Sequence, residues 1–460
     1  MAGYCRIVYS TPGGLQQRAV SWMCGRVARL FTMAITFLHA ADIHLDSPLK
    51  GLERYENAPV ERIRGATRRA FTRLIDLAIE KKVDFVLIAG DLYDGDWRDY
   101  NTGLYLVRQL GRLREQQIPV FVIAGNHDAA NKMTRALRLP ENVRLLAHEH
   151  PETVRLEEHG VAIHGQSFGK IAVLENLAAA YPAPLKGYAN IGLLHTGMGG
   201  VDGHERYAPC TLEDLRTRGY DYWALGHIHN RQILCKEPLI VFAGNVQGRH
   251  IRETGPKGCL LVTVHSNHRI ESTFQRLDHV RWERACVDVR ELETDSDILG
   301  RASEVLDELL ATETEPDAML VVRVILSGPT PLHSRLQTDS ERSIAEIRSL
   351  ATERGRDRLW IERVVLDTQP VRTVTMPDGP FDELQEVIEQ LRSDRSSMTT
   401  VVDELAELKR KLPAELTQDP EGPQLSDAEW LQTLLVQVQP MLLDLLLKAD
   451  NGDINSYDAK

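Results

Sequence analysis

The sequence lacks paired cysteines and long apolar runs, and both absences narrow the class of protein. Its six cysteines are scattered, at Cys5, Cys24, Cys210, Cys235, Cys259 and Cys286. None forms a C-x-x-C pair, which argues against a disulfide framework or a zinc ribbon and fits a reducing compartment. No apolar run reaches the length of a membrane span. We therefore expect a cytoplasmic protein that does not enter a membrane, with two or three domains in its 460 residues.

The chain also lacks an excess of basic residues, since its formal net charge is -12. Residues 376–460 contain 18 Asp and Glu against 7 Lys and Arg, so the preceding 375 residues carry a balance of only -1. The acidity belongs to the C-terminal region. It does not exclude a polyanionic substrate bound elsewhere.

The first 32 residues contain no acid and four arginines. This composition is compatible with a transit peptide. We favour a mis-assigned, overlong start, because "MAITFLHAADIH" from Met33 reads as a natural beginning and leads directly into a buried strand. Residues 1–32 are therefore treated as an N-terminal extension.

Residues 33–280 predict an α/β domain built on layered sheets. Eight short apolar runs have strand length and mostly end in Gly or Ala: "ITFLHAA", "DFVLIAG", "PVFVIAG", "VAIHG", "IGLLHTG", "YWALGH", "LIVFAG" and "CLLVTV". Helices are predicted over residues 67–82 and 100–117. The second should bury one face formed by Leu104, Val107, Leu110 and Leu113.

Two further units follow. Residues 281–372 predict a small α+β domain in the order strand, helix, strand, helix, strand, without a chemical motif. Residues 373–460 predict a helical, acidic region with a Pro-rich break at 413–423. After the break, Ser426 and Glu429 form a capping box and an apolar helix begins. This helix is either part of an ordinary helical subdomain or a docking element for a partner.

Five polar clusters follow apolar runs of the first domain. They contain Asp42 and His44; Asp91; Asn126, His127 and Asp128; His195; and His227 and His229. Each cluster alone is weak evidence for a binding site. A single His after a strand is more often a structural residue, and Asn, Asp and Gly are common in turns. Their repetition favours one pocket, since ligands gather outside the carboxyl ends of strands in α/β sheets.

Seven of these side chains have the chemistry of metal ligands: Asp42, His44, Asp91, Asn126, His195, His227 and His229. Carboxylate and amide oxygens with imidazoles, and no thiolate, suit manganese, iron or zinc. The number of ligands suffices for two divalent ions if one carboxylate bridges them. Two ions about 3.5–4 Å apart stabilise both the attacking and the leaving oxygen of a displacement at phosphorus.

The order D-x-H, G-D, G-N-H-D, H and G-H-x-H resembles the calcineurin-like metallophosphoesterases, which implies a two-sheet sandwich flanked by helices. Within that superfamily the chain is most similar to the SbcD-type DNA repair exonucleases, in the YhaO-like branch. The supporting segments are "LHAADIHLDSPLKGL", "FVLIAGDLYD", "GYDYWALGHIH" and "GNVQGRHIRETGPKGC". The resemblance extends from Met33 to about Val264. Beyond it, the second unit is similar only in outline to a capping domain that helps place DNA.

The resemblance implies a role for each site residue. One metal would be held by Asp42, His44, Asp91 and His229, and the other by Asp91, Asn126, His195 and His227. His127 would stabilise the transition state and help to protonate the leaving oxygen, and Asp128 would orient His127. Asp94 stands where some relatives carry a histidine.

Basic residues near this site are candidates for DNA contact. Arg249, Arg252 and Lys257 lie in the loop 248–258, and phosphate contacts need such donors. A solvated basic loop is the alternative. Residues 62–73 predict a helix with an exposed basic face, and the resemblance implies that helices of this region help to form a homodimer.

The leading hypothesis is a manganese-dependent DNA exonuclease, with endonuclease cleavage as an alternative, in double-strand break repair. The resemblance implies an SMC-like ATPase partner, of YhaN or SbcC type, bound through the C-terminal helices. Two other hypotheses remain. One is a metallophosphoesterase for a nucleotide, lipid or phosphoprotein, since the fold is shared across many substrates. The other is an architectural subunit, against which the intact ligand set argues.

Overall fold

The computed structural model describes most of the first 371 residues and short segments beyond them. The described residues are 34–47, 59–94, 100–130, 138–198, 207–267, 269–313, 315, 317–371, 387–388, 390, 401–402, 404–412, 424–427, 430–432 and 434–435. The N-terminal extension and the Pro-rich break lie outside them. No described helix is long and apolar enough to cross a membrane.

The first sheet has six strands in the order β12-β11-β1-β2-β3-β4. Its strands are β1 (Ile35–Ala40), β2 (Phe85–Ala89), β3 (Val120–Ile123), β4 (Val143–Leu145), β11 (Gly258–Val264) and β12 (Ile270–Arg276). The strands β1 to β4 are parallel, whereas β11 pairs antiparallel with β1. The carboxyl ends of β1, β2 and β3 therefore lie at one edge, where three of the polar clusters follow.

The second sheet also has six strands, in the order β5-β6-β7-β8-β10-β9. Its strands are β5 (Glu152–Leu156), β6 (Val161–Gly165), β7 (Ala189–His195), β8 (Tyr222–Gly226), β9 (Gln232–Lys236) and β10 (Leu239–Phe242). β6, β7, β8 and β10 are parallel. The last residue of β7 is His195, and β8 leads directly into the His227–His229 segment.

Apolar side chains from the facing sides of the two sheets form a common core. Phe37 stacks on Phe85, with ring centroids 4.7 Å apart, and meets Tyr222 of the second sheet edge-on at 5.5 Å. Both sheets contribute other fully buried side chains, such as Leu87 and Ile191. Burying each such side chain stabilises the fold by about 1.5–3 kcal/mol. This shared core fixes the two sheets against each other and hence the ends of their strands.

Helices cover the outer sides of the sandwich. They are α1 (Val60–Arg64), α2 (Ala66–Lys81), α3 (Tyr100–Glu115), α4 (Asn126–Ala130) and α5 (Leu212–Thr217), with a 3-10 turn at Leu177–Ala180. α2 and α3 pack on the first sheet through Phe71, Leu74 and Leu110, whereas Leu215 of α5 packs on the second. The two-sheet sandwich flanked by helices predicted from the sequence is therefore confirmed.

The eight apolar runs named above are all strands, whereas the prediction for the buried face of α3 is partly wrong. Leu110 and Leu113 are buried, and Val107 is half-buried. Leu104 is 64% exposed, because the buried face of the helix passes through Leu106 instead.

A third sheet lies in residues 280–369. Its elements are β13 (Val280–Asp288), α6 (Asp295–Thr312), β14 (Met319–Pro329), α7 (His333–Thr338), α8 (Ser340–Gly355), a 3-10 turn at Arg356–Arg358 and β15 (Leu359–Gln369). The order of strands and helices is the predicted one. All three strands are parallel, so two βαβ crossovers build this unit, and α/β describes it better than α+β.

The described part of the C-terminal region is helical but short. α9 spans Ala406–Lys411. The Asp427 carboxylate accepts a hydrogen bond from the Trp430 N–H at 3.4 Å, and the capping box predicted for Ser426 and Glu429 lies partly outside the described residues. Glu429, and most of the apolar positions predicted after Leu435, lie outside the described residues.

Candidate metal centre

Backbone hydrogen bonds join the loops that follow the parallel strands. The Asp42 N–H donates to the Gly90 carbonyl at 3.1 Å, and the His44 N–H donates to the Asp91 carbonyl at 3.0 Å. The His227 N–H donates to both carboxylate oxygens of Asp42, at 3.0 Å each. These hydrogen bonds thus hold together the loops after β1, β2 and β8.

Two motif glycines allow this close approach. A Cβ atom added at Gly226 would lie 1.9 Å from the Ala89 carbonyl oxygen. One added at Gly125 would lie 2.2 Å from a carboxylate oxygen of Asp91. Only glycine fits at either position, which explains the glycine in the G-H-x-H and G-N-H-D motifs.

Four of the seven predicted ligands have a left-handed backbone. The φ angles are 49° at Asp42, 45° at His44, 52° at Asp91 and 101° at His227. Non-glycine residues rarely adopt positive φ, and such strain clusters at functional sites. The strained backbone turns these side chains into the space between the two sheets' carboxyl ends.

Asp42, His44 and His229 form a first group whose ligand atoms all lie within 4.8 Å of one another. The Nε2 atoms of His44 and His229 are 3.2 Å apart. Two imidazole nitrogens this close together could both bind one divalent ion. The geometry of this group therefore fits a metal ion.

Asp91, His195 and His227 form a second group within the same 4.8 Å limit. A carboxylate oxygen of Asp91 is 3.5 Å from Nε2 of His195 and 3.8 Å from Nε2 of His44, so Asp91 lies between the groups. Nε2 of His195 is also 3.0 Å from Oδ1 of Asn126. All seven predicted ligands thus converge, with Asp91 placed where a bridging ligand would be.

The second ring nitrogen of His195 fixes its tautomer. Nδ1 lies 2.9 Å from the Ala89 carbonyl oxygen, an acceptor, so Nδ1 carries the proton and donates it. Nε2 is then left with a free lone pair. Burial, and secondarily the nearby His227, lowers the pKa of His195 well below its ordinary value. A neutral imidazole is the form that binds a metal.

The site also concentrates buried carboxylates. Burial raises the pKa of Asp42 to about 6, against the opposing effect of His229. Burial, together with the charges of Asp128 and Asp42, raises the pKa of Asp91 well above its ordinary value. Ionised carboxylates are unfavourable here without added positive charge, so the residues fit divalent cations.

His127 lies beside the two groups and forms a third candidate group with His44 and Asp91 within the same 4.8 Å limit. Its side chain is 38% exposed, in contrast to the buried His44 and His195. Its Nδ1 lies 2.9 Å from a carboxylate oxygen of Asp94. Burial would raise the pKa of Asp94, but the hydrogen bond from His127 and the nearby His44 ring outweigh this effect and hold it well below its ordinary value. An exposed imidazole held by an ionised carboxylate suits proton donation to a substrate.

This arrangement corrects the prediction that Asp128 orients His127. The Asp128 carboxylate accepts backbone N–H bonds from Leu92, Tyr93 and Gly125, at 3.0–3.2 Å. It therefore fixes the two loops that carry Asp91 and Asn126. Asp94 is the carboxylate in contact with the His127 ring.

Glu253 is a buried residue of the site that the sequence reasoning missed. Its carboxylate accepts a hydrogen bond from Nδ1 of His229 at 2.6 Å and from Arg249 at 2.9 Å. Arg249 also lies 3.4 Å from Asp94, so its guanidinium connects the two acids at the site. The signal in the sequence is one acid within the otherwise basic loop 248–258.

The other candidates for DNA contact differ in exposure. Arg252 is exposed. Lys257 is 5% exposed, and its ammonium donates to the His229 carbonyl and to Oδ1 of Asn230, at 3.2 Å each. Its burial corrects the prediction that Lys257 contacts DNA, because its charge supports the loop after β8.

The basic helix predicted over residues 62–73 is formed by α1 and α2, but its face is only partly open to solvent. Arg62 donates to the Asp317 carbonyl at 2.9 Å, and Arg73 donates to the Asp278 carbonyl at 2.8 Å. Arg68 pairs with Asp46. These arginines bind the chain's own loops, including those of the third sheet.

Two family models match the chain. Residues 35–231 match the calcineurin-like phosphoesterase model, and residues 282–369 match the middle domain of the metallophosphoesterase YhaO. The metallophosphoesterase YhaO of Bacillus subtilis (strain 168) is 36% identical over 377 residues, which cover 81% of this chain and 90% of that protein.

Two archaeal DNA double-strand break repair proteins, both named Mre11, are more distantly similar. The protein of Saccharolobus solfataricus is 29% identical over 46% of this chain and 54% of its own length. That of Sulfurisphaera tokodaii is 31% identical over 43% of this chain and 49% of its own length. The chain thus spans about half the length of these relatives.

The matched models, the extended similarity to YhaO and the converging ligand groups agree. The chain belongs to the YhaO family of calcineurin-like metallophosphoesterases and is a metal-dependent phosphoesterase.

Proposed function

We propose that this protein is a two-metal nuclease that hydrolyses phosphodiester bonds of DNA. The observation that carries the proposal is the pair of ligand groups that meet at Asp91, with the exposed His127 beside them. The similarity to archaeal proteins named for DNA double-strand break repair supports DNA as the substrate.

The proposed ligands and His127 would have separate roles in the hydrolysis. Asp42, His44, Asp91 and His229 would hold one ion, and Asp91, Asn126, His195 and His227 would hold the other. When bound, the ions supply Lewis acidity and neutralise charge at the phosphodiester. His127 gives a proton to the leaving oxygen, and Asp94 holds its ring through Nδ1, leaving Nε2 to face the substrate.

Manganese is the proposed ion, with iron or zinc as alternatives. The donor set combines carboxylate and amide oxygens with imidazole nitrogens and contains no thiolate. Such mixed oxygen and nitrogen sites suit manganese and iron better than copper.

The proposed partners are DNA, a second copy of the chain and an SMC-like ATPase. Arg252 is an exposed donor near the site that can reach a phosphate backbone. The second copy would bind through the helices of residues 62–73, as the family resemblance implies. The ATPase would dock on the C-terminal helices after residue 423. Double-strand break repair in the cytoplasm is the proposed setting.

Cleavage assays with Mn²⁺ test the substrate class. We expect the purified protein to degrade labelled linear duplex or single-stranded DNA, and to act poorly on nucleotides, phospholipids and a phosphoprotein. Rapid hydrolysis of one of those three, with DNA left intact even when the ATPase is added, would contradict the proposal. Removing residues 426–450 should abolish binding of the ATPase and leave cleavage by the isolated protein unchanged.

A further inference from the structure

We propose that Glu253 is a positioning residue that holds His229 as a metal ligand and links the third sheet to the metal centre. The inference rests on the ligand assignment proposed above. It concerns a residue outside the five motifs, in the loop 243–257 between β10 and β11.

The Glu253 carboxylate accepts hydrogen bonds from several donors, which hold it in one position. Besides Nδ1 of His229 at 2.6 Å, it accepts the Arg249 backbone N–H at 2.8 Å and the Asn245 side-chain amide at 2.9 Å. Glu253 is 4% exposed, so water does not compete for these bonds. A carboxylate that is fixed on several sides can fix the ring that donates to it.

The bond to Glu253 determines which nitrogen of His229 is available. Nδ1 also lies 3.2 Å from a guanidinium nitrogen of Arg249, but its shorter contact, at 2.6 Å, is with the carboxylate, an acceptor. Nδ1 therefore carries the proton and Nε2 keeps its lone pair. This Nε2 is the atom that lies 3.2 Å from Nε2 of His44 in the first ligand group. Outer carboxylates of this kind typically change metal affinity by about 10- to 100-fold.

The loop that carries Glu253 is held in turn by the first strand of the third sheet. The Trp282 indole N–H donates to the Gly248 carbonyl, and the Gly255 N–H donates to the Trp282 carbonyl, both at 3.1 Å. The side-chain oxygen of Gln247 accepts the His279 N–H at 2.8 Å. Trp282 and Ile251 also share one buried apolar cluster. The third sheet therefore sets the position of Glu253.

The test is Mn²⁺ binding to the full chain, measured by calorimetry and by metal analysis after dialysis. Glu253→Gln keeps the shape of the side chain and removes its charge. We expect it to weaken one of two Mn²⁺ sites by 10- to 100-fold and to leave the other within about threefold. Glu271→Gln is the matched control, since Glu271 pairs with His265 at 3.2 Å on the edge strand β12.

Imidazole proton NMR supplies a readout that a purely structural role would not change. The wild type should show one strongly deshielded N–H proton from His229, which Glu253→Gln shifts upfield while the thermal unfolding midpoint stays close to that of the control. Two unchanged Mn²⁺ sites, or equal weakening of both, would overturn the inference alone. A wild type that binds fewer than two Mn²⁺ would overturn the ligand assignment and this inference with it.

Discussion

Replacing Asp94 with Asn should slow phosphodiester cleavage without removing the metals. Asp94 contacts Nδ1 of His127 at 2.9 Å and Arg249 at 3.4 Å, and its side chain is 19% exposed. The amide keeps the size of the carboxylate but loses its charge. The His127 ring is then held less firmly, and its protonated form loses a stabilising partner.

The size of the effect follows from the bond that is lost. A hydrogen bond to a charged group contributes about 1.5–3 kcal/mol. At about 1.4 kcal/mol per tenfold change in rate, Asp94→Asn should lower kcat by about 10- to 150-fold. Complete loss of the proton donor in His127→Asn should cost about 10²- to 10⁴-fold.

The assay is steady-state cleavage of a labelled DNA, or of a small phosphodiester, at saturating Mn²⁺. Bound metal is counted for each variant, because Asp94 also lies 3.7 Å from Nδ1 of the ligand His44. Asp76→Asn is the matched control, since this aspartate pairs with Arg112 on the surface.

The double variant with both substitutions distinguishes an action through His127 from an independent one. If Asp94 acts through His127, adding Asp94→Asn to His127→Asn should change kcat by less than about twofold. Multiplicative losses in the double variant would mean that Asp94 acts independently of His127. So would an Asp94→Asn protein whose rate falls only because a metal is lost.

Three further predictions concern stability, assembly of the site and DNA. Burial lowers the pKa values of His39, His44, His195 and His279, so between about pH 4 and 6 the unfolded chain binds protons at these residues that the metal-free native state does not. These histidines outnumber Asp42, Asp91 and Asp128, whose raised pKa values act in the opposite direction. The free energy of unfolding of the metal-free protein, measured with urea, should therefore rise as the pH rises through this window, and a fall would contradict this reasoning. Gly226→Ala brings a Cβ to 1.9 Å from the Ala89 carbonyl, so Mn²⁺ stoichiometry by metal analysis should drop, and retention of two ions would count against it. Arg252→Ala should weaken DNA binding and reduce the salt slope, measured by fluorescence anisotropy, by about 0.9; an unchanged slope would remove this residue from the interface.

The ligand clusters could be predicted because their signal is local. Each follows an apolar run of strand length, and parallel strands bring their carboxyl ends to one edge. The same rule explains why His227 and His229, two residues apart, belong to different ligand groups. The left-handed backbone at His227 separates their directions, which a simple extended segment would not do.

The support around the ligands could not be predicted, because it depends on contacts between distant loops. Asp94 and Asp128 are both acids near His127, and only the fold places Asp94 against its ring. The sequence shows that residue 257 is a lysine, but it does not show that the lysine ammonium is buried against the His229 carbonyl. Glu253 lies 24 residues from His229, and no motif connects them.

The parallel direction of the strands in the third sheet could have been predicted from the length of the connections between them. A helix of 18 residues, α6, connects β13 to β14, and a crossover of that length favours parallel strands. The exposure of Leu104 is a different case. Leu104 is exposed because α3 is rotated about its axis by a fraction of a turn from the predicted orientation. The packing of the buried Leu106 sets this rotation of the helix.

Mn²⁺-dependent DNA cleavage by the wild type and by His127→Asn, with bound metal counted in both, decides whether the protein is a two-metal nuclease that uses His127. We expect two bound ions in each protein, cleavage by the wild type and a loss of at least about 100-fold in the variant. Equal cleavage by both proteins would contradict the role of His127. Two bound ions with no cleavage of DNA by the wild type, alone or with the ATPase, would contradict the assignment as a nuclease.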